Sequence, residues 1–115
     1  MIGADTLKYI ECAVDAEVEY GNKLHGAFHN HHEAYSVNRE ELEEMMDCFD
    51  PLSMLIKSKL ELLWDLVKAD EMTDELARYH INLILEKTME LEQECVQVMA
   101  MCRKWNNLID KENEV

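Results

Sequence analysis

The chain has 115 residues, 48% of them hydrophobic and 31% charged, so it is long enough for one domain and too apolar to be disordered. Twenty-five acids against eleven bases leave a formal net charge of −14, which would repel a nucleic acid or an anionic membrane and attract divalent cations. Three glycines and one proline are too few for the turns of an all-β fold, whereas the long stretches rich in Leu, Met, Glu, Lys and Ala favour helix. The expected fold is all-α, a single antiparallel bundle of three to four long helices spanning 1–115.

The first helix is expected to start at Asp5 or Thr6, both good caps, and to run to about Tyr20. Leu7, Ile10, Val14 and Val18 make its apolar stripe. Gly21, Asn22, Gly26 and the segment His29-Asn30-His31 are read as a break. A second helix begins near Asn30, where Glu33 three residues on has the form of a capping box. It continues through Ala34, Val37, Glu41, Glu44 and Cys48 to Asp50-Pro51, where a kink and a restart are both open. Leu52, Leu55, Ile56, Leu60, Leu63 and Val67 then form a renewed apolar face reaching about Lys68.

Ala69 to Met72 is a short connection, and Thr73-Asp74-Glu75 reads as the next helix start. The last helix is expected from about Asp74 to Asn107, ~50 Å at ~1.5 Å rise per residue, with a frayed tail from Asp110 to Val115. Its segment from Cys95 to Cys102 is apolar nearly all round and must be covered on every side, which predicts a homodimer or homotetramer. No basic region followed by an apolar run opens the chain and no run is long enough to span a membrane, so a cytoplasmic protein is expected. Cys12, Cys48, Cys95 and Cys102, with no CxxC pair, are read as buried thiols. The methionines, Trp64 and Trp105 are read as core.

The run Arg39-Glu40-Glu41-Leu42-Glu43-Glu44 carries the most chemistry. On a helix Glu41 and Glu44 are neighbours on the face that Ala34, Val37 and Cys48 turn inward, an arrangement unfavourable without a cation. Glu94 and Gln97 repeat the i, i+3 spacing inside the most apolar part of the last helix. If the two helices face each other, three carboxylates and an amide oxygen converge, a donor set suited to Mg²⁺ or Mn²⁺. The competing reading is a solvated acidic face. His25, His29 and His32 would make a metal site only if their stretch were helical, and the glycines favour a polar loop; His80 is a surface or satisfied core residue.

Phe28-His29-Asn30-His31-His32-Glu33-Ala34-Tyr35-Ser36-Val37, followed by Glu40-Glu41-Leu42-Glu43-Glu44, resembles the start of MazG-like proteins of phages and Gram-positive bacteria. Glu94 to Met101 resembles their second motif block, and Leu62 to Lys68 their connecting helix. The resemblance implies an all-α nucleoside triphosphate pyrophosphohydrolase that cleaves between the α- and β-phosphates. Its signature, EExxE then ExxD, carries over as Mg²⁺ ligands Glu41, Glu44, Glu94 and Gln97, with Glu40 left to orient the attacking water. Gln97 replaces the signature Asp, and the Glu44-to-Glu94 gap is longer than the wider family's, as if Pro51 and the segment after it were an insertion. Lys23, Arg39, Arg103 and Lys104 are the basic residues that could hold a triphosphate. The alternative function is a non-catalytic helical protein that binds a protein partner or a nucleotide.

Overall fold

The computed structural model describes residues 2–114, and within them three α-helices and no strand: α1 (Ala4–His25), α2 (His31–Lys68) and α3 (Asp74–Glu112). Met1 and Val115 lie outside the described residues.

The helix ends are set by a few side chains. Gly3, not Asp5 or Thr6, is the N-cap of α1, and it offers no side-chain hydrogen bond. Asp5 falls instead in the first turn, where a carboxylate meets the positive end of the helix dipole. The expected break at Gly21-Asn22 does not occur; α1 runs on to His25. An interior glycine weakens a helix by only ~1 kcal/mol, and packing of this turn against Met101 and Lys104 holds it. The stop comes at Gly26, whose φ of 75° and ψ of 179° belong to a region essentially reserved for glycine.

At the start of α2 the Asn30 Oδ1 accepts the Glu33 amide at 2.9 Å, as the capping pattern predicts. The helix then passes Pro51 without ending. It closes in a Schellman turn, with Asp70 at φ 58°, its N–H on Val67 O and the Glu71 N–H on Leu66 O. Thr73 Oγ1 accepts the Leu76 amide at 3.1 Å and starts α3. That helix extends five residues past Asn107, because Leu108 is buried and Glu112 pairs with His31 at 3.3 Å. Of the tail expected to fray, residues up to Glu112 are therefore helical, and Val115 lies outside the described residues.

The chain divides into two compact units. The first joins residues 1–45 to 93–115, so it holds α1, the first part of α2 and the second part of α3. One core cluster packs Val14 and Val18 of α1 on Ala100; a second joins Phe28, Ala34 and Leu108. Val14 and Val18 meet Ala100, and further along α1 Gly21 lies beside Met101 and Lys104 and the Gly26 carbonyl accepts from Lys104, so α1 and α3 run parallel here. α2 runs antiparallel to both: Asn38 Nδ2 donates to Met101 O and Trp105 Nε1 to His31 Nδ1. In this unit the expected antiparallel order thus holds between successive helices, and the parallel α1–α3 pair follows from an up-down-up arrangement of three.

The second unit, Met46–Glu92, is an antiparallel helical hairpin. Its buried residues are Leu52 and His80, and Lys59 Nζ donates to His80 Nδ1 at 3.0 Å, so this histidine is a satisfied interior residue. Leu60, Val67 and Trp64, expected inside, are exposed, with Trp64 lying under the Lys68 ammonium. Two helices make one shared seam, which leaves the flanking apolar positions uncovered. Cys12 and Cys102 are exposed and Cys48 and Cys95 half-buried, against the expectation of buried thiols. Cys12 and Cys102 each stand two residues, about 200° of helix rotation, from the inward-facing Val14 and Ala100.

Candidate metal centre

Two helices of the first unit build the centre. α2 carries Glu41 and Glu44 one turn apart, and the antiparallel α3 brings Glu94 opposite them. One carboxylate oxygen from each lies within 4.8 Å of the others, the only grouping of three or more candidate His, Cys, Asp or Glu ligands among the described residues. Glu41 and Glu94 are half-buried and Glu44 is exposed. The Oε2 atoms of both Glu41 and Glu94 are buried without a hydrogen-bond partner. Buried carboxylate oxygens ordinarily find donors, so two orphans at one point lack a positive partner.

The surrounding charges do not supply it. Arg39 pairs with Glu43, Lys23 with Glu19 and Arg103 with Asp15. Burial, above all, raises the Glu41 pKa above the ordinary carboxylate range, and Glu44, Glu94, Glu40 and Glu17 push it further in the same direction. Hard cations with oxygen ligands, Mg²⁺ or Mn²⁺, fit this donor set, which holds no sulfur and no imidazole.

A cleft of about 540 Å³ adjoins the cluster, with Glu41, Glu40, Glu17 and Gln97 in its wall. A scan against protein-family models matched none, and searches of curated proteins and of solved structures found no significant match. The site rests on its own geometry.

Of the five residues singled out in the sequence, Glu41, Glu44 and Glu94 meet. Glu40 is exposed and lines the cleft, and Gln97, half-buried one turn beyond Glu94, lines it beside Glu41. Glu17 escaped the sequence reading. Its signal was there: it is the one acid that continues the inner α1 spacing of Ile10, Val14 and Gly21.

His29 and His31 are engaged by neighbouring side chains, and His25 and His29 also line the cleft. His29 Nδ1 lies 3.0 Å from Glu33 Oε2, and His31 accepts from Trp105, which leaves its Nε2 proton for Glu112. Lys104 is the one of the four candidate basic residues that reaches the cleft. It is buried, donates to Gly26 O at 3.2 Å and sits 4.4 Å over the Phe28 ring.

Proposed function

We propose that the protein is a Mg²⁺-dependent nucleoside triphosphate pyrophosphohydrolase of the MazG-like type, with Mn²⁺ as a substitute ion. The observation that carries this reading is the convergence of Glu41, Glu44 and Glu94 at a cleft, two of their oxygens buried and unpartnered. Glu41, Glu44 and Glu94 would hold the ion, with the Gln97 amide oxygen a further ligand. Bound there, a magnesium ion would neutralise phosphate charge and acidify a water. Glu40, which lines the cleft outside the cluster, would orient the attacking water and accept its proton, with pyrophosphate leaving as the α–β phosphoanhydride bond breaks. The products would be a nucleoside monophosphate and pyrophosphate.

The long segment between the acidic motifs, a departure from the MazG-like pattern, does not part them, since Met46–Glu92 forms a compact unit of its own and leaves both motifs in the other. The deciding experiment measures pyrophosphate release from a panel of canonical and modified nucleoside triphosphates, with and without Mg²⁺ or Mn²⁺. Metal-dependent release is expected. A folded protein inert toward every triphosphate and ion would instead support the non-catalytic binding reading, which the neutral Gln97 favours.

We also propose that the chain works as a homodimer or homotetramer. In the hairpin unit Met54, Leu60, Trp64, Tyr79, Ile81 and Leu85 are all more than half exposed, apolar surface that a second copy would cover. Sedimentation equilibrium is expected to give two or four copies, and a strict monomer would reject this. No helix among the described residues is long and apolar enough to cross a membrane.

A further inference from the structure

Lys104 is a buried charge that the metal centre does not use. The residue is only 6% exposed, yet among the described residues none of its contacts is an ion pair: the ammonium donates to one carbonyl and rests on one ring. An ammonium has three donors, so two remain for the cleft that it lines. Burial pulls its pKa below the ordinary lysine range, with Glu33 opposing, as expected of a charge removed from water without a counter-ion.

Its position relative to the carboxylates is fixed by helix geometry. Glu94, Gln97, Met101 and Lys104 succeed one another at three- and four-residue spacing and share a face of α3. Ten residues, about 15 Å of axis, separate the ends of that stripe. Between them stand Met101 and Val37, with Tyr20, Leu24 and Phe28 about them, and the polar His25, His29 and Glu33 also line the cleft. The cleft therefore offers a cation-binding end, a middle of mixed apolar and polar residues and a buried group that can only donate.

Building on the nucleotide reading above, we infer that Lys104 is the specificity-determining residue of the cleft, donating to a carbonyl oxygen of the nucleobase and so selecting keto bases. A ligand held through its phosphates at the carboxylate end needs roughly the length of a nucleoside triphosphate to touch Lys104. An ammonium cannot accept, so guanine O6 or uracil O4 satisfies it, whereas the N6 amino group that adenine carries at the corresponding ring position faces it with a second donor.

The test is affinity, measured without turnover. Dissociation constants of the α,β-methylene analogues of GTP, UTP and ATP, and of inorganic tripolyphosphate, are determined with Mg²⁺ for the wild type and Lys104→Met. The wild type is expected to hold the GTP and UTP analogues about tenfold or more tighter than the ATP analogue, and Lys104→Met to bring all three to one level. Tripolyphosphate should bind both proteins equally. Lys104→Gln, whose amide both donates and accepts, is expected to erase the preference too and serves where Lys104→Met does not fold. A wild type without keto preference, a preference surviving both substitutions, or a loss for tripolyphosphate as large as for the GTP analogue would each overturn the assignment. Equal hydrolysis of all the triphosphates would overturn it and leave the hydrolase standing. A keto preference in binding without any turnover would keep it and remove the hydrolase.

Discussion

Replacing Glu41 with Gln is expected to abolish metal-dependent pyrophosphate release and, at the same time, to make the metal-free protein more stable. The two effects have one origin. Glu41 is one of the two half-buried members of the acidic cluster: its Oε2 is buried without a partner, and Glu44, Glu94, Glu40 and Glu17 all repel its charge. With a divalent cation these oxygens are ligands; without one they are an uncompensated burden. Loss of the ligand should lower kcat/KM by at least about 100-fold, since even outer partners of metal ligands act on a 10- to 100-fold scale. The neutral isostere should raise the metal-free Tm by about 4 °C, the scale of 1 kcal/mol in a domain of this size.

The pH dependence has a definite sign. A carboxyl whose folded pKa is raised supports the fold below the unfolded carboxylate value and loses that contribution as pH rises through its folded pKa. Metal-free wild type is therefore expected to lose stability between about pH 4 and neutrality relative to Glu41→Gln, and Mg²⁺ at neutral pH to restore it by binding the native state. Thermal melts over this range, with and without Mg²⁺, read all of this. A Glu41→Gln protein that melts with the same pH profile and the same Mg²⁺ response as wild type would remove Glu41 from the centre.

Much of this centre was legible in the sequence because helix periodicity is a strong signal. Ala34, Val37 and Cys48 mark one face of α2, and Glu41 and Glu44 fall on it; Glu94 sits among apolar residues on α3. Neither stripe says which helices meet. That information lies in contacts such as Asn38 to the Met101 carbonyl and Trp105 to His31, between residues more than sixty positions apart. Glu17 was overlooked because it has no acid three or four residues away on α1, and a single acid on an apolar stripe acquires meaning only beside Glu41.

The errors have the same physical root. Gly21 and Asn22 are poor helix formers, but local propensity of ~1 kcal/mol yields to packing against α3. The end of α1 depends on Gly26, the glycine whose dihedrals other residues avoid. Leu60, Trp64 and Val67 obey the helical spacing of a core face and are exposed, since spacing identifies a stripe and not the partner that covers it. Lys104, one basic residue among eleven in the sequence, stands out only when its burial is known.

Gln97→Asp is expected to raise Mg²⁺ or Mn²⁺ affinity by about 10- to 100-fold, the span over which added carboxylate charge tunes hard-cation sites, with a parallel gain in kcat/KM. Gln97 stands one turn beyond Glu94 on the same face of α3, and it lines the cleft beside Glu41. Its amide oxygen can ligate, but it brings no charge to match a dication. An aspartate at this position would complete a set of four carboxylates from two helices. The gain has a counterpart in the empty protein, where a fourth negative group joins three whose repulsion already raises the Glu41 pKa. Metal-free Gln97→Asp should therefore melt several degrees below wild type at neutral pH and recover at acid pH, opposite in direction to Glu41→Gln. Calorimetric titration with Mn²⁺, beside steady-state kinetics at saturating metal, separates the two gains. Tighter metal with unchanged turnover would place Gln97 in the ligand set and lay slow chemistry elsewhere, with Glu40 next to be tested. Unchanged metal affinity would mean that Glu41, Glu44 and Glu94 hold the ion alone.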